Sequence, residues 1–90
     1  MPLTGLVFTD TSLNNLSYIP HKTRVRVIKK TKALINNARP PGSVKLKGVT
    51  NNGESVYRIR CGDYRVLYVI RSNPAEVVVL DIDHRKDVYQ

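Results

Sequence analysis

Apolar residues change their period near the middle of the chain, and the change separates a helical first half from a stranded second half. Residues 3–8 are a short apolar run and predict a strand. Asp10 or Thr11 is placed to cap a helix whose apolar positions Leu13, Leu16 and Ile19 recur at helical spacing. Pro20 suits the first turn of a second helix, where its missing N–H would have no partner in any case. Val27, Ile28, Thr31, Leu34, Ile35 and Ala38 then form one stripe, with Lys22, Arg26, Lys29, Lys30 and Lys32 mostly off it. Asn36 and Asn37 close this helix, and Arg39-Pro40-Pro41-Gly42 forbids its continuation.

Beyond that stiff link the period becomes two. Residues 44–46 read as a short strand ended by Gly48 and the turn-rich Thr50-Asn51-Asn52-Gly53. Residues 56–61 and 64–70 flank Gly62-Asp63, a two-residue loop suited to a tight hairpin. After Ser72-Asn73-Pro74-Ala75, residues 76–83 form a last strand centred on Val77-Val78-Val79-Leu80. The order β-α-α-β-β-β describes an α+β fold, a mostly antiparallel sheet with a two-helix hairpin packed on one face. Ninety residues suffice for one such core, so residues 1–90 are expected to form a single domain.

The hairpin sets a register. It pairs Cys61 with Tyr64, Arg60 with Arg65, Ile59 with Val66 and Tyr57 with Tyr68. Alternation then places Tyr57, Ile59, Cys61, Tyr64, Val66, Tyr68 and Ile70 on an apolar face toward the helices. Arg58, Arg60 and Arg65 share the opposite face. If Val78, Leu80 and Ile82 point inward, Asp81 and Asp83 point outward, with Asp81 beside Arg65. Opposed like charges cost a few tenths of a kcal/mol up to ~1, so folding gives no reason to gather three guanidinium groups. A phosphate gives one, because the arginine fork matches its oxygens. An arginine ladder tempered by the two aspartates is the structural alternative.

Charge strengthens the anion reading. Fifteen Lys and Arg against seven Asp and Glu give a net charge of +8, which calls for a polyanion or an acidic partner protein. Residues 21–39 hold seven of these cations and no acid, as a solvated helix face or a docking surface would. The hydrophobic fraction is 41%, and no apolar run approaches the ~20 residues that span a bilayer. The first residues lack the pattern of a secretory signal. Cys61, the single cysteine, has no disulfide partner and reads as a small core residue. A cytoplasmic location is expected. There is no metal-ligand cluster, no Ser-His-Asp order and no glycine-rich phosphate loop, so neither a metal nor a small-molecule cofactor is expected.

The tail His84-Arg85-Lys86-Asp87-Val88-Tyr89 adds groups for proton chemistry. His84 is suited to general acid or base work, or to a structural place at a strand end. Tyr89 offers a hydroxyl for proton transfer and a ring for stacking on a base, or simply packs over the sheet edge.

Lys45-Leu46-Lys47-Gly48, the run YRIRCGDYRVLYVI over residues 57–70, and HRKDVY over residues 84–89, in that order, resemble the RelE branch of the RelE/ParE toxin superfamily. The likeness covers nearly the whole chain, including the helical hairpin and the Arg-Pro-Pro-Gly link. It implies a RelE-like fold and the toxin of a type II toxin–antitoxin system, which cuts mRNA in the ribosomal A site without metal and is silenced by a cognate antitoxin. It also implies that Arg58, Arg60, Arg65, Arg85 and Tyr89 are catalytic, with Lys45, Lys47, His84 and Lys86 contacting RNA. Arginine replaces the lysine often found at the hairpin positions, which removes a lysine proton donor there. Two alternatives stand beside this reading, a ParE-like inhibitor of DNA gyrase and a nucleic-acid-binding module without activity.

Overall fold

The computed structural model describes residues 5–72 and 74–84. Its elements are β1 (Gly5–Phe8), α1 (Asp10–Ser17), α2 (His21–Ala33), β2 (Val44–Asn51), β3 (Glu54–Cys61), β4 (Tyr64–Ser72) and β5 (Ala75–His84). One sheet runs in the order β1-β5-β4-β3-β2. Every neighbouring pair is antiparallel except β1 with β5. The expected α+β fold is therefore present, with one strand more than β-α-α-β-β-β.

The strand that this order left uncounted is β2, read in the sequence as a short strand at residues 44–46. Gly48 was expected to end it, yet β2 continues through Gly48 and reaches the next turn. Asn52 and Gly53 have φ of 50° and 80°, the two left-handed positions of a type I′ hairpin turn. The Asn-Gly pair thus closes β2 onto β3 instead of following a loop. The β3–β4 hairpin has the expected register throughout, Cys61 with Tyr64, Arg60 with Arg65, Ile59 with Val66 and Tyr57 with Tyr68.

Both helices lie on the face those tyrosines share. Leu16, Ile19, Val27 and Leu34 from the helices bury against Ile59, Cys61, Val66, Tyr68, Val77, Val79 and Ile82. Each such aliphatic side chain removed from water contributes about 1.5–3 kcal/mol. Leu13 is a correction: it is 52% exposed, and Ser12 takes its place inside. The cap is neither Asp10 nor Thr11 but Thr9, which accepts a hydrogen bond from the Ser12 N–H. Pro20 sits at the N-cap position of α2, just outside its first turn.

The last strand departs most from the expected alternation. Leu67 pairs with Asp81 but Tyr68 pairs with Val79, so Leu80 is an extra residue on β5. This bulge reverses the parity of the preceding residues. Val77, Val79 and Ile82 face the helices, whereas Val78 and Leu80 face away. Helix α1 takes up the backbone groups beside the bulge. Thr9 Oγ1 donates to the Leu80 carbonyl at 3.0 Å, and the Asn15 side-chain oxygen accepts from the Ile82 N–H at 2.9 Å. The face away from the helices also has a small core of its own, Val56, Val69 and Val78 ringed by Leu46, Leu67 and Leu80.

Candidate anion-binding face and cavity

Strand register arranges the face away from the helices in rows. Arg60, Arg65 and Asp83 stand side by side across β3, β4 and β5, and Arg58, Leu67 and Asp81 form the next row. The partner opposite Arg65 is therefore Asp83, not Asp81, because the bulge moves every later residue of β5 by one position. The three arginines differ in burial. Arg65 retains 8% exposure, Arg58 is half-buried and Arg60 is exposed. A buried guanidinium is tolerated when a carboxylate or further hydrogen bonds accompany it, and the register gives Arg65 that neighbour. The register puts no carboxylate opposite Arg58, whose Nε is buried and has no hydrogen-bond partner among the described residues. Folding gains nothing from such a donor, whereas an arriving oxyanion would.

The remaining candidates are less gathered than the sequence suggested. Lys45 and Lys47 are exposed on the edge strand β2, and Lys45 pairs with Tyr57, on the helix side of the sheet. His84 pairs with Tyr64 and meets its ring edge-on, with centroids 5.0 Å apart. It therefore lies on the face opposite the arginines. Arg85, Lys86 and Tyr89 lie outside the described residues. The arginine trio is the part of the expected site that the fold brings together.

The link between α2 and β2 is fixed from beneath. The Tyr68 hydroxyl, fully buried, donates to the Ala38 carbonyl at 2.7 Å. Burial pushes this hydroxyl up to about 12, Tyr57 adds to the effect, and the Ser43 hydroxyl and Arg39 pull against it. Tyr57 stacks on Tyr68 at 5.8 Å, and the Arg39 guanidinium lies 5.9 Å from the Tyr57 ring centre. Anchored in this way, the link runs beside β3. The first residue pair of β2 with β3 is Val44 with Arg58, and where that pairing stops a cavity of about 470 Å³ opens. Lys30, Pro40, Pro41, Gly42, Arg58, Ile59 and Arg60 line it.

Lys30 is the residue the sequence reading did not single out. It was grouped with the cations of α2 as docking or solvation. The available signal was the stiff Pro-Pro link, which has to carry the chain from the end of α2 past the next strands. No cluster of metal-binding side chains occurs among the described residues. No described helix is long and apolar enough to cross a membrane.

An α+β sheet with a helical hairpin on one face and basic groups on the other defines the class, the RelE-like toxin fold. Residues 6–89 match the family of the ParE toxin of type II toxin–antitoxin systems, parDE, and the chain belongs to it. Within the wider RelE/ParE superfamily, it is similar to the toxin–antitoxin complex RelBE2 from Mycobacterium tuberculosis, at 27% identity and a TM-score of 0.75, over 94% of this chain and 100% of that one. It has the fold seen in the RelE–RelB complex of Pyrococcus horikoshii, with 23% identity, a TM-score of 0.76 and coverage of 94% and 97%. It also has the fold of the YoeB/ParE toxin from Agrobacterium tumefaciens, with 14% identity, a TM-score of 0.75 and coverage of 90% and 98%. No curated protein matches the chain in sequence. The protein is thus a toxin of a type II toxin–antitoxin system.

Proposed function

We propose that this toxin is a metal-independent endoribonuclease that cleaves mRNA in the ribosomal A site. The observation that carries the reading is the Arg58–Arg60–Arg65 face, with a buried Arg58 donor left without a partner. In this mechanism the RNA 2′-oxygen attacks the adjacent phosphorus and its proton passes to a base. The bond to the 5′-oxygen breaks, and that oxygen takes up a proton. The products are a 2′,3′-cyclic phosphate and a 5′-hydroxyl. Fixed cations at a partly dry site favour the doubly charged phosphorane over the singly charged ground state. Arg58 and Arg60 hold the non-bridging oxygens, and Arg65, kept in place beside Asp83, supplies the third charge. Arg85 adds a further charge to stabilise the phosphorane, and Tyr89 acts as base or stacks on the flanking nucleobase. Lys86 would guide the strand electrostatically, as would Lys45 and Lys47 from the edge strand, whereas His84 lies on the opposite face and is given no part.

The partner is a cognate antitoxin. Relatives of this fold are complexes of RelE with RelB, and a net charge of +8 suits an acidic partner segment.

A second reading has a specific observation in its favour: the matching family is described by ParE. Gyrase inhibition would need no RNA chemistry and no particular role for Tyr89. Two assays on one preparation separate the readings. Cuts positioned by codon in mRNA on programmed ribosomes, with DNA supercoiling by gyrase unaffected, support the nuclease. Inhibited supercoiling with intact mRNA overturns it.

A further inference from the structure

The cavity beside β3 joins Arg58 and Arg60 to residues that the catalytic reading does not use. Its lining combines the proline rings of Pro40 and Pro41 with the cations Lys30, Arg58 and Arg60, at the stretch of β3 that β2 does not cover. Its volume of about 470 Å³ falls in the range of small-molecule sites. Proline rings and cations around one cavity complement one nucleotide of a single strand, base against the rings and phosphate against the charges. Lys30 also stands in the last turn of α2, where a cation stabilises the negative end of the helix. Lys32 shares that position but lies along a different groove, with Val25, Ile28 and Lys29. The dipole therefore explains why a lysine is favoured in this turn. It does not explain why Lys30 lines the same cavity as Arg58 and Arg60.

We infer that this cavity is a nucleotide-binding subsite for the RNA strand, next to the cleaved linkage, with Lys30 contacting a backbone phosphate and the Pro40–Pro41 rings packing on its base. The inference rests on the ribonuclease reading for the identity of the strand. The tightly held link matters here. Tyr68 fixes the Ala38 carbonyl at 2.7 Å, so the proline wall is in place before RNA arrives and little ordering cost falls on binding. Lys30 is a binding residue of the subsite, and Arg58 is shared between subsite and reacting phosphate.

The test uses the full-length toxin and a short 2′-O-methyl RNA oligonucleotide, which binds but cannot be cut. Lys30→Ala is expected to weaken binding roughly three- to tenfold and to lower the slope of log affinity against log salt by about 0.7, the value for one lost phosphate contact on a single strand. Lys32→Ala is expected to leave that slope within error of the parent. Inorganic polyphosphate of equal charge should compete worse than the oligonucleotide. Equal losses in Lys30→Ala and Lys32→Ala would overturn the subsite, as would polyphosphate competing as well as RNA. Failure of the nuclease reading shows separately, as absence of cleavage of ordinary mRNA by the parent protein.

Discussion

The hydroxyl of Tyr68 on β4 donates to the carbonyl of Ala38 at 2.7 Å, thirty positions earlier in the chain. It ties the link after α2 to the centre of the sheet. Tyr68→Phe keeps the ring and removes the bond, and is expected to lower stability by about 1–2 kcal/mol in urea unfolding. The variant also has a pH signature. The folded hydroxyl is raised to about 12, above the ~10 of an unfolded tyrosine, so the folded state holds this proton more tightly. The resulting stability is fully present below pH ~10 and is lost as pH rises through about 12. The parent should therefore lose stability more steeply than Tyr68→Phe across that window. Parallel curves would remove the assigned cause.

The second expectation concerns the bulge at Leu80. Asn15 accepts from the Ile82 N–H at 2.9 Å, and without it that partly buried donor has no replacement. Asn15→Ala is expected to cost roughly 1–3 kcal/mol. Hydrogen exchange at Ile82 should accelerate by more than exchange at Val66, which is paired within the sheet with Ile59 and Ile82. A uniform change at both positions would mean that α1 acts only through general stability.

Arg58 presents the opposite sign. Its Nε is buried without a partner among the described residues, and a buried donor in that state costs on the order of 1–3 kcal/mol. Arg58→Met should leave urea stability unchanged or raised, while lowering RNA cleavage at least tenfold. Loss of both stability and activity would show that Arg58 serves folding.

The turn at Gly62 sets the register of Arg60 against Arg65. Its φ of 60° is a left-handed value that costs an L-residue roughly 1–2 kcal/mol. Gly62→Ala is expected to lose about that much in thermal or urea unfolding. Gly62→Asn should lose less, since asparagine tolerates this region. Equal losses would argue for a contact of the turn instead of its backbone conformation.

These positions also mark what the sequence made legible. The hairpin could be read pair by pair because a Gly-Asp loop of two residues fixes its own register, and strict alternation then sorts tyrosines from arginines. The bulge left no comparable sign. In Val77-Val78-Val79-Leu80 every residue is apolar, so either parity buries a plausible set, and only the pairing to β4 chooses. That choice put Asp83, not Asp81, opposite Arg65 and revealed the second small core around Val69. Leu13 was read as buried from spacing alone, but α1 is a short helix whose polar residues Ser12 and Asn15 are engaged with its cap and β5. Lys30 was hidden among equivalent lysines, because Arg58 and Arg60, which line the same cavity, come from a strand about thirty positions away. The family likeness supplied the tail residues Arg85 and Tyr89, which alternation and charge could not rank.

The central claim is that this arginine face drives attack by the RNA's own 2′-hydroxyl, and the chemistry of the cut ends tests it most directly. mRNA on programmed ribosomes, treated with parent toxin, should carry a 2′,3′-cyclic phosphate on one fragment and a 5′-hydroxyl on the other. Arg65→Ala and Arg85→Ala should slow that cleavage by roughly tenfold to a thousandfold, the scale for loss of one transition-state donor. A 5′-phosphate on the downstream fragment, or undiminished cutting in both variants, would contradict the account.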